Sequence, residues 1–321
     1  MIKPRIIITM GDPSGIGPEV IFKGLNNPGI AKLAEFAVIG DRWAFNKAKS
    51  EKRKAKNFKF IDLNNVPRNN FKFGKVDARY GRASFEYLEL AVKLIKEKKA
   101  DCLVTAPVDK EAVNKAGIKF NGHTEYLAGK FNIKDFLMML IVGKYYFTLV
   151  TRHVALKDVS KQLTQSNIFK TIIITNQSLK KIFNIKKPRI CVCGLNPHAS
   201  DGGIFGDEEK KVITPAIIQA KNKGCLVYGP IPADSAVKEL VREKKYDVLV
   251  AMYHDQALIP LKILGYEQGV NFTCGLPFIR TTPLHGTAFD IAGKNKANPG
   301  SIIEAIKLAV ETYCNASLQK Q

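Results

Sequence analysis

The sequence predicts an α/β protein, because short, wholly apolar strands alternate with helices that are apolar along one face only. Three stretches carry this reading. Residues 5–9 (RIIIT) and 247–253 (DVLVAMY) lack polar alternation, as expected of a parallel sheet covered on both sides. Residues 80–98 place Leu88, Ala91, Val92 and Ile95 at helical spacing, with Lys and Glu opposite.

In chain order, RIIIT leads into MGDPSGIGPEV and the helical FKGL. Pro18 suits a first helical turn, where a missing N–H costs nothing, and Glu19 complements the positive helix end. Gly15-Ile16-Gly17-Pro18-Glu19 is not G-x-G-x-x-G, so a functional loop is expected there but not a standard Rossmann site. FAVIG is a second strand, residues 57–63 a third, and the helix at 80–98 feeds the strand DCLVTA. Next, Gly122-His123-Thr124-Glu125 reads as a loop entering a short helix. Outward N–H groups make such a start an anion site; a plain Thr124 N-cap is the equal alternative. FLMMLIV and FTLVTRH are neighbouring strands, the second ending at His153. A helix at 166–183 precedes RICVCGLNPHASDGG, whose strand ends near His198. A helix at 207–223 leads to LVYGPIPADS, where Asp234 follows a proline-stiffened turn. A helix at 301–314, apolar at Ile302, Ile306, Ala309 and Val310, closes the chain before a frayed SLQKQ tail.

With 321 residues, 45% of them hydrophobic and 25% charged, the chain suits a soluble globular protein of two domains or one large one. No apolar run approaches a membrane span, and the start lacks a signal-peptide pattern, so a cytoplasmic location is expected. Six cysteines at irregular spacing fit a reducing compartment. Cys191 and Cys193 alternate on one strand face with no second pair, so they read as core and not as zinc ligands. The net charge of +21 is spread over lysines in most surface segments. Its one dense run, 49–59, lacks interleaved stacking aromatics, so neither a nucleic-acid nor a membrane partner is expected. A positive field does favour a small anionic substrate.

Chemistry concentrates in residues 249–290, where a buried strand runs into His254 and Asp255, followed by Lys262, Asn271, Arg280 and His285. Ligands of α/β proteins bind beyond the carboxyl ends of strands. His153, His198 and His254, three of only five histidines, each follow a hydrophobic strand. Singly, each reads as an ordinary satisfied histidine. Together, at one edge of a parallel sheet, three imidazoles could hold a divalent ion and leave positions open for substrate oxygen.

GDPSGIGPE, TAPVDKEAVNKAG, GHTEY, GLNPHA, YGPIPAD, AMYHDQALIPLK, GVN, GLPFIRT and HGTAFDIAG together resemble the 4-hydroxythreonine-4-phosphate dehydrogenase family of vitamin B6 biosynthesis. The resemblance runs from Ile6 to about Ala309. It implies the isocitrate/isopropylmalate dehydrogenase-like fold, two α/β/α lobes flanking a cleft, here expected as 1–130 plus 275–321 and 131–274. It implies His153, His198 and His254 as ligands of one divalent ion (Zn, Mg or Co), shared across a homodimer so that one ligand comes from the partner. His123, Thr124, Lys262, Asn271 and Arg280 match substrate-binding positions, with Lys262 and Asp234 as catalytic candidates. The segment 285–298 resembles a loop for NAD, with NADP as the alternative, through His285, Gly286, Thr287, Ala288, Asp290 and Asn298. The implied reaction is oxidation of 4-phosphooxy-L-threonine at C3, followed by decarboxylation; the alternative is a dehydrogenase of 4-phosphoerythronate or a related phosphorylated sugar acid. A metal- and anion-binding protein without turnover is the more distant reading. Locally the chain departs from the family pattern: Asn121 stands for a Pro, Arg152 adjoins His153, Ser200-Asp201 replaces Gly-Glu, and SAVKEL lacks an aromatic.

Overall fold

The structure, a computed structural model, describes residues 3–48 and 58–318. Most of the lysine run at 49–59 and the end of the tail lie outside the described residues. The chain forms two compact units, one of Met1–Lys134 with Leu276–Ser317, the other chiefly Asp135–Gly275.

The first unit begins with β1 (Arg5–Thr9), α1 (Gly17–Leu25), β2 (Glu35–Gly40), α2 (Arg42–Ala48), β3 (Phe58–Asp62), α3 (Ala78–Lys96), β4 (Cys102–Thr105), α4 (Lys110–Lys115) and α5 (His123–Lys130). The second unit contains β5 (Leu137–Val142), β6 (Tyr145–Leu149), α6 (Val159–Gln162), α7 (Gln165–Lys181), β7 (Arg189–Cys193), α8 (Thr214–Asn222), β8 (Leu226–Ile231), α9 (Ala233–Val241), β9 (Val248–Ala251), α10 (His254–Gly265) and β10 (Val270–Cys274). The chain then returns to the first unit with β11 (Ile279–Pro283) and α11 (Gly300–Leu318).

In the first unit the strand order is β3-β2-β1-β4-β11, every pair parallel. The second unit runs β10-β5-β6-β9-β7-β8, antiparallel through the β5–β6 hairpin and parallel from β6 to β8. The expected α/β class is therefore present, with its apolar strands where the pattern put them: β4 and β9 are wholly buried. Each fully buried aliphatic chain contributes about 1.5–3 kcal/mol, which is why these runs tolerate no polar alternation. Cys191 and Cys193 are buried free thiols, and burial pushes Cys193 up to about 12, as befits core residues. Several boundaries differ from expectation. The strands expected to end at His153 and near His198 stop at Leu149 and Cys193. The helix expected at 207–223 opens with a wider turn at Glu209–Ile213 before α8, α11 continues to Leu318 instead of stopping at Cys314, and His254 starts a helix instead of ending a strand.

At the end of β1 the backbone turns through Gly11, whose φ of +72° suits glycine and whose missing side chain lets Pro107 approach. Asp12 follows, fully buried; its Oδ1 accepts from the Ser14 N–H at 2.8 Å and the Ser14 hydroxyl at 2.9 Å. Burial raises this carboxyl from 3.8 to about 7, against the lowering effect of the Ser14 hydrogen bonds; Asp109 and Asp77 add to the rise. The folded chain thus keeps a proton that the unfolded chain releases. Asp12 therefore favours folding most below its ordinary pKa, loses that contribution as pH rises towards about 7, and is level above it. Asp12→Asn keeps an acceptor for Ser14 and removes the decline. Thermal unfolding midpoints of variant and wild type should converge near pH 4 and separate by roughly several degrees at pH 8, the variant higher; parallel curves would contradict the assignment.

Candidate active site

In the second unit, four parallel strands lie in the order β6-β9-β7-β8, and the chain leaving their carboxyl ends carries His153, His254, His198 and Asp234 in that same order. Neighbouring strands are about 4.8 Å apart, so the topology brings these turns close without any special loop. The first two are tied further. Beyond the ends of β6 and β9, Val150 N donates to Ala251 O at 2.9 Å, Thr151 N to Met252 O at 3.1 Å, and the Thr151 hydroxyl to the same carbonyl at 2.7 Å. The His153 and His254 rings consequently lie 5.9 Å apart between centroids. With metal–nitrogen bonds of about 2.0–2.1 Å, two imidazoles on one ion have centroids roughly 5–6 Å apart, so this pair fits a shared cation.

His254 is the first residue of α10, and its Nδ1 lies 2.6 Å from Asp255 Oδ1. A carboxylate can only accept, so Nδ1 carries the proton and Nε2 is left as the free donor atom for a metal. His198 does not join the pair: among the described residues no group of three His, Cys, Asp or Glu side chains could hold an ion. The reason is local. From His198 to Gly202 every residue has positive φ, a left-handed turn that holds the His198 ring beside Phe205 at 6.3 Å. Below this turn the buried Glu209 accepts from Leu195 N and Asn196 N, both at 2.8 Å, and from Asn196 Nδ2 at 2.9 Å.

Asn271 lies in β10, buried, with Oδ1 lacking a hydrogen-bond partner. Leaving such a buried atom unsatisfied costs about 1–3 kcal/mol, so it is suited to a ligand. Lys262 is exposed on α10, its Nζ 5.5 Å from the Tyr266 ring centre. Asp234 is exposed in the first turn of α9, where its charge also complements the helix end.

The first unit carries a separate polar group. Arg280, in β11, is only 2% exposed; its Nη2 donates to Thr105 Oγ1 at 2.6 Å and its Nη1 approaches Thr124 Oγ1 at 3.4 Å. Burial lowers the guanidinium to about 9, with Glu125 acting the other way, so it remains a cation at neutral pH. Thr124 is not the helix cap. Gly122 holds that position without a side-chain bond, and Thr124 faces Arg280. His123 has a buried Nε2 with no protein partner; burial and the Arg280 and Lys110 charges hold its pKa well below the ordinary value. It is therefore a neutral ring flanked by two cations at the start of α5, which is an anion-binding arrangement.

The expected cofactor segment is clamped at both ends by α1 and its preceding loop. Ile16 N donates to Thr287 O at 3.0 Å. Glu19 Oε1 accepts from Ala297 N at 2.9 Å and Lys23 Nζ at 2.8 Å, while Lys23 also donates to Ala297 O and Asn295 O. His285 Nδ1 lies 3.0 Å from Gly286 O, leaving a buried Nε2 without a protein partner, and burial lowers its pKa. Asn298 Oδ1 accepts from Gly300 N, the first N–H of α11, at 2.7 Å. Gly286 and Asp290 are exposed, Thr287 and Ala288 half-buried.

The family model for the pyridoxal phosphate biosynthetic protein PdxA matches residues 26–309. The chain belongs to the PdxA family. It is 42% identical to a 4-hydroxythreonine-4-phosphate dehydrogenase of Sulfurihydrogenibium sp., over 95% of this chain and 97% of that protein. It is 40% identical to the D-threonate 4-phosphate dehydrogenase of Salmonella typhimurium, over 95% and 98%. The crystal structure of the Klebsiella pneumoniae 4-hydroxythreonine-4-phosphate dehydrogenase superposes with a TM-score of 0.85 at 36% identity, covering 97% of this chain and 98% of that one. Isocitrate dehydrogenase from Methylococcus capsulatus shares the fold, with a TM-score of 0.52 at 12% identity.

Several residues of this PdxA-family chain gain a role that sequence reading did not assign. Lys110 closes the TAPVDK block, and only the fold brings its charge to His123. Gln256 was visible within AMYHDQALIPLK and Glu209 within the helix expected at 207–223, but the backbone groups they hold carry no sequence signature. Glu19 could be read as a helix-end acid; its hydrogen bond to Ala297 spans the entire second unit in sequence.

Proposed function

We propose that this chain is a metal- and NAD-dependent oxidoreductase that oxidises 4-phosphooxy-L-threonine at C3 and releases 3-amino-2-oxopropyl phosphate after decarboxylation, within pyridoxine 5′-phosphate biosynthesis. The observation that carries the reading is the His153–His254 pair at adjoining strand ends, in a chain that aligns almost end to end with dehydrogenases of phosphorylated four-carbon acids.

His153, His198 and His254 would hold the ion, and imidazole donors suit zinc or cobalt better than magnesium. When bound, the cation supplies Lewis acidity to the C3 oxygen and the nicotinamide accepts the C3 hydride. The protein residues do the rest. Arg280, with Thr124 and the start of α5 at His123, binds the anionic end of the substrate, because a guanidinium fixed by two threonine hydroxyls offers a planar fork to phosphate or carboxylate. Asn271 accepts or donates one hydrogen bond to the substrate. Lys262 assists proton transfer at the C3 oxygen, and Asp234 orients that exchange. Loss of hydride and proton leaves a 3-keto acid; its C1–C2 bond then breaks, CO₂ departs, and the electron pair left at C2 takes up a proton. The segment 285–298 receives the dinucleotide through His285, Gly286, Thr287, Ala288, Asp290 and Asn298.

The third imidazole comes, in this proposal, from a second copy of the chain. His198 is held away from the other two, and large apolar side chains are exposed beside each histidine: Leu156 after His153, Ile204 and Phe205 after His198, and Ile259 and Ile263 along α10 after His254. Exposed apolar surface of this kind marks an interface. A homodimer in which His198 crosses to the partner's His153–His254 pair satisfies both facts.

One competing substrate has direct support, since relatives of similar identity are D-threonate 4-phosphate dehydrogenases. The deciding assay follows NADH formation with 4-phosphooxy-L-threonine, D-threonate 4-phosphate and 4-phosphoerythronate, before and after chelation. The threonine phosphate should give the highest kcat/KM, lost with the metal and restored by it; a clear preference for D-threonate 4-phosphate would transfer the assignment, and oxidation of none would end it. Subunit mixing tests the sharing. His198→Ala with His254→Ala should regain about a quarter of wild-type activity after random exchange, because about half of the dimers are mixed and each re-forms one of its two sites, whereas His153→Ala with His254→Ala should stay inactive. The reverse pattern would rule out this division of ligands. Arg280→Lys should raise the KM for the phosphorylated substrate roughly tenfold or more while leaving that for NAD unchanged, since one or two charge-assisted hydrogen bonds are lost; an unaltered substrate KM would put the anion elsewhere.

A further inference from the structure

We infer that Gln256 is a positioning residue that sets metal affinity by joining the turn that bears His254 to the turn that bears His198. This rests on the metal reading above. Gln256 lies in the first turn of α10, two residues after His254. Its Oε1 accepts from Met252 N at 2.7 Å, two residues before the histidine, and its Nε2 donates to Gly194 O at 2.8 Å, at the root of the His198 turn. One amide thus pins backbone from two neighbouring strand ends.

The root it grips is rigid on its other sides. Gly194 N donates to Ile231 O at 2.8 Å, which fastens it to the end of β8. A side chain at Gly194 would bring Cβ within 2.9 Å of Ala199 Cα and 3.1 Å of Glu209 Oε1, so the turn folds directly over it. Left-handed backbone is costly for residues other than glycine and persists only when its surroundings fix it. His198, Ala199, Ser200 and Asp201 are all in that state. Glu209 fixes the turn from below, and Gln256 fixes its distance from the His254 turn. If His198 serves the partner's ion while His254 serves its own, the same amide links the two centres of a dimer. A residue that aligns ligands without touching the ion typically changes metal affinity about 10–100-fold.

The test uses the full-length apo-protein titrated with Co²⁺ against a chromophoric chelator, with thermal unfolding of each apo-variant alongside. Gln256→Ala should weaken Co²⁺ binding about tenfold or more and alter the visible Co²⁺ band. Gln256→Glu keeps the acceptor for Met252 N but cannot donate to Gly194 O; it should show the same loss in an apo-protein that still unfolds cooperatively, and it decides the matter if the alanine variant does not fold. Thr175→Val, which removes the buried Thr175–Thr148 hydroxyl contact in the same unit, should lower the unfolding temperature without changing Co²⁺ affinity. His254→Ala must lose Co²⁺; if it binds as wild type does, the metal reading itself fails. Should His254→Ala lose the ion while Gln256→Glu binds it with wild-type affinity and band shape, the positioning role is wrong and the metal centre stands.

Discussion

Parallel pairing of β6, β9, β7 and β8 fixes what the second unit can do. Parallel strands finish on the same side of a sheet, about 4.8 Å from their neighbours, so four chain segments remote in sequence emerge side by side. The buried residues of β9 and β7 make this registry stiff, because a slip would expose residues that the core needs. The polar residues beyond the strand ends then contribute little to folding and are available for binding. Where the ladder continues past the strands, at Val150 and Thr151, the side chains it carries arrive as a pair. Where it gives way to a left-handed turn, at His198, the ring departs from its neighbours. Backbone conformation after the strand, rather than strand order, separates the two outcomes.

The first unit solves a different problem. It must keep a guanidinium charged in a place where water is scarce, and burial alone would disfavour that charge. Two threonine hydroxyls accept from the guanidinium and the nearby Glu125 carboxylate favours its charge, which together replace part of what water would have supplied. The same burial makes His123 neutral, so the ring presents a hydrogen-bonding group without adding a third cation beside Arg280 and Lys110. An anion meeting these groups displaces little water, which strengthens each contact relative to the same contact at the surface.

Much of this was legible in the sequence, for a physical reason in each case. Apolar runs such as VLVA and CLVT reveal buried strands because burial on both faces forbids alternation, and amphipathic spacing reveals α3 for the complementary reason. Histidines after strands stood out because nothing in a core asks for them. Three features were not legible. The left-handed run at His198–Gly202 contains only one residue, Gly202, whose type announces it. Gly122 and not Thr124 begins α5, because Thr124 turns to Arg280, a residue 156 positions away. His254 reads as a strand terminus, yet it opens α10, since Asp255 stabilises the helix start through its charge.

The GDPSGIGPE block shows how a glycine-rich motif can shape a segment remote from it in sequence. Its glycines suggest phosphate binding, but several of its backbone N–H groups are already committed: Asp12 N to Pro107, Ser14 N to Asp12, Gly15 N to Asp12 and Ile16 N to Thr287. Farther on, Glu19 and Lys23 grip the backbone at Asn295 and Ala297. These bonds hold the segment from His285 to Asn298 at both ends, and a loop held at both ends loses less entropy when a ligand orders it. Glycine is needed here for close approach: a side chain at Gly15 would lie 3.0 Å from Thr287 O. The conformation of the segment is thus imposed by a loop and helix remote in sequence, joined to it by backbone and side-chain hydrogen bonds that no local motif in the segment announces.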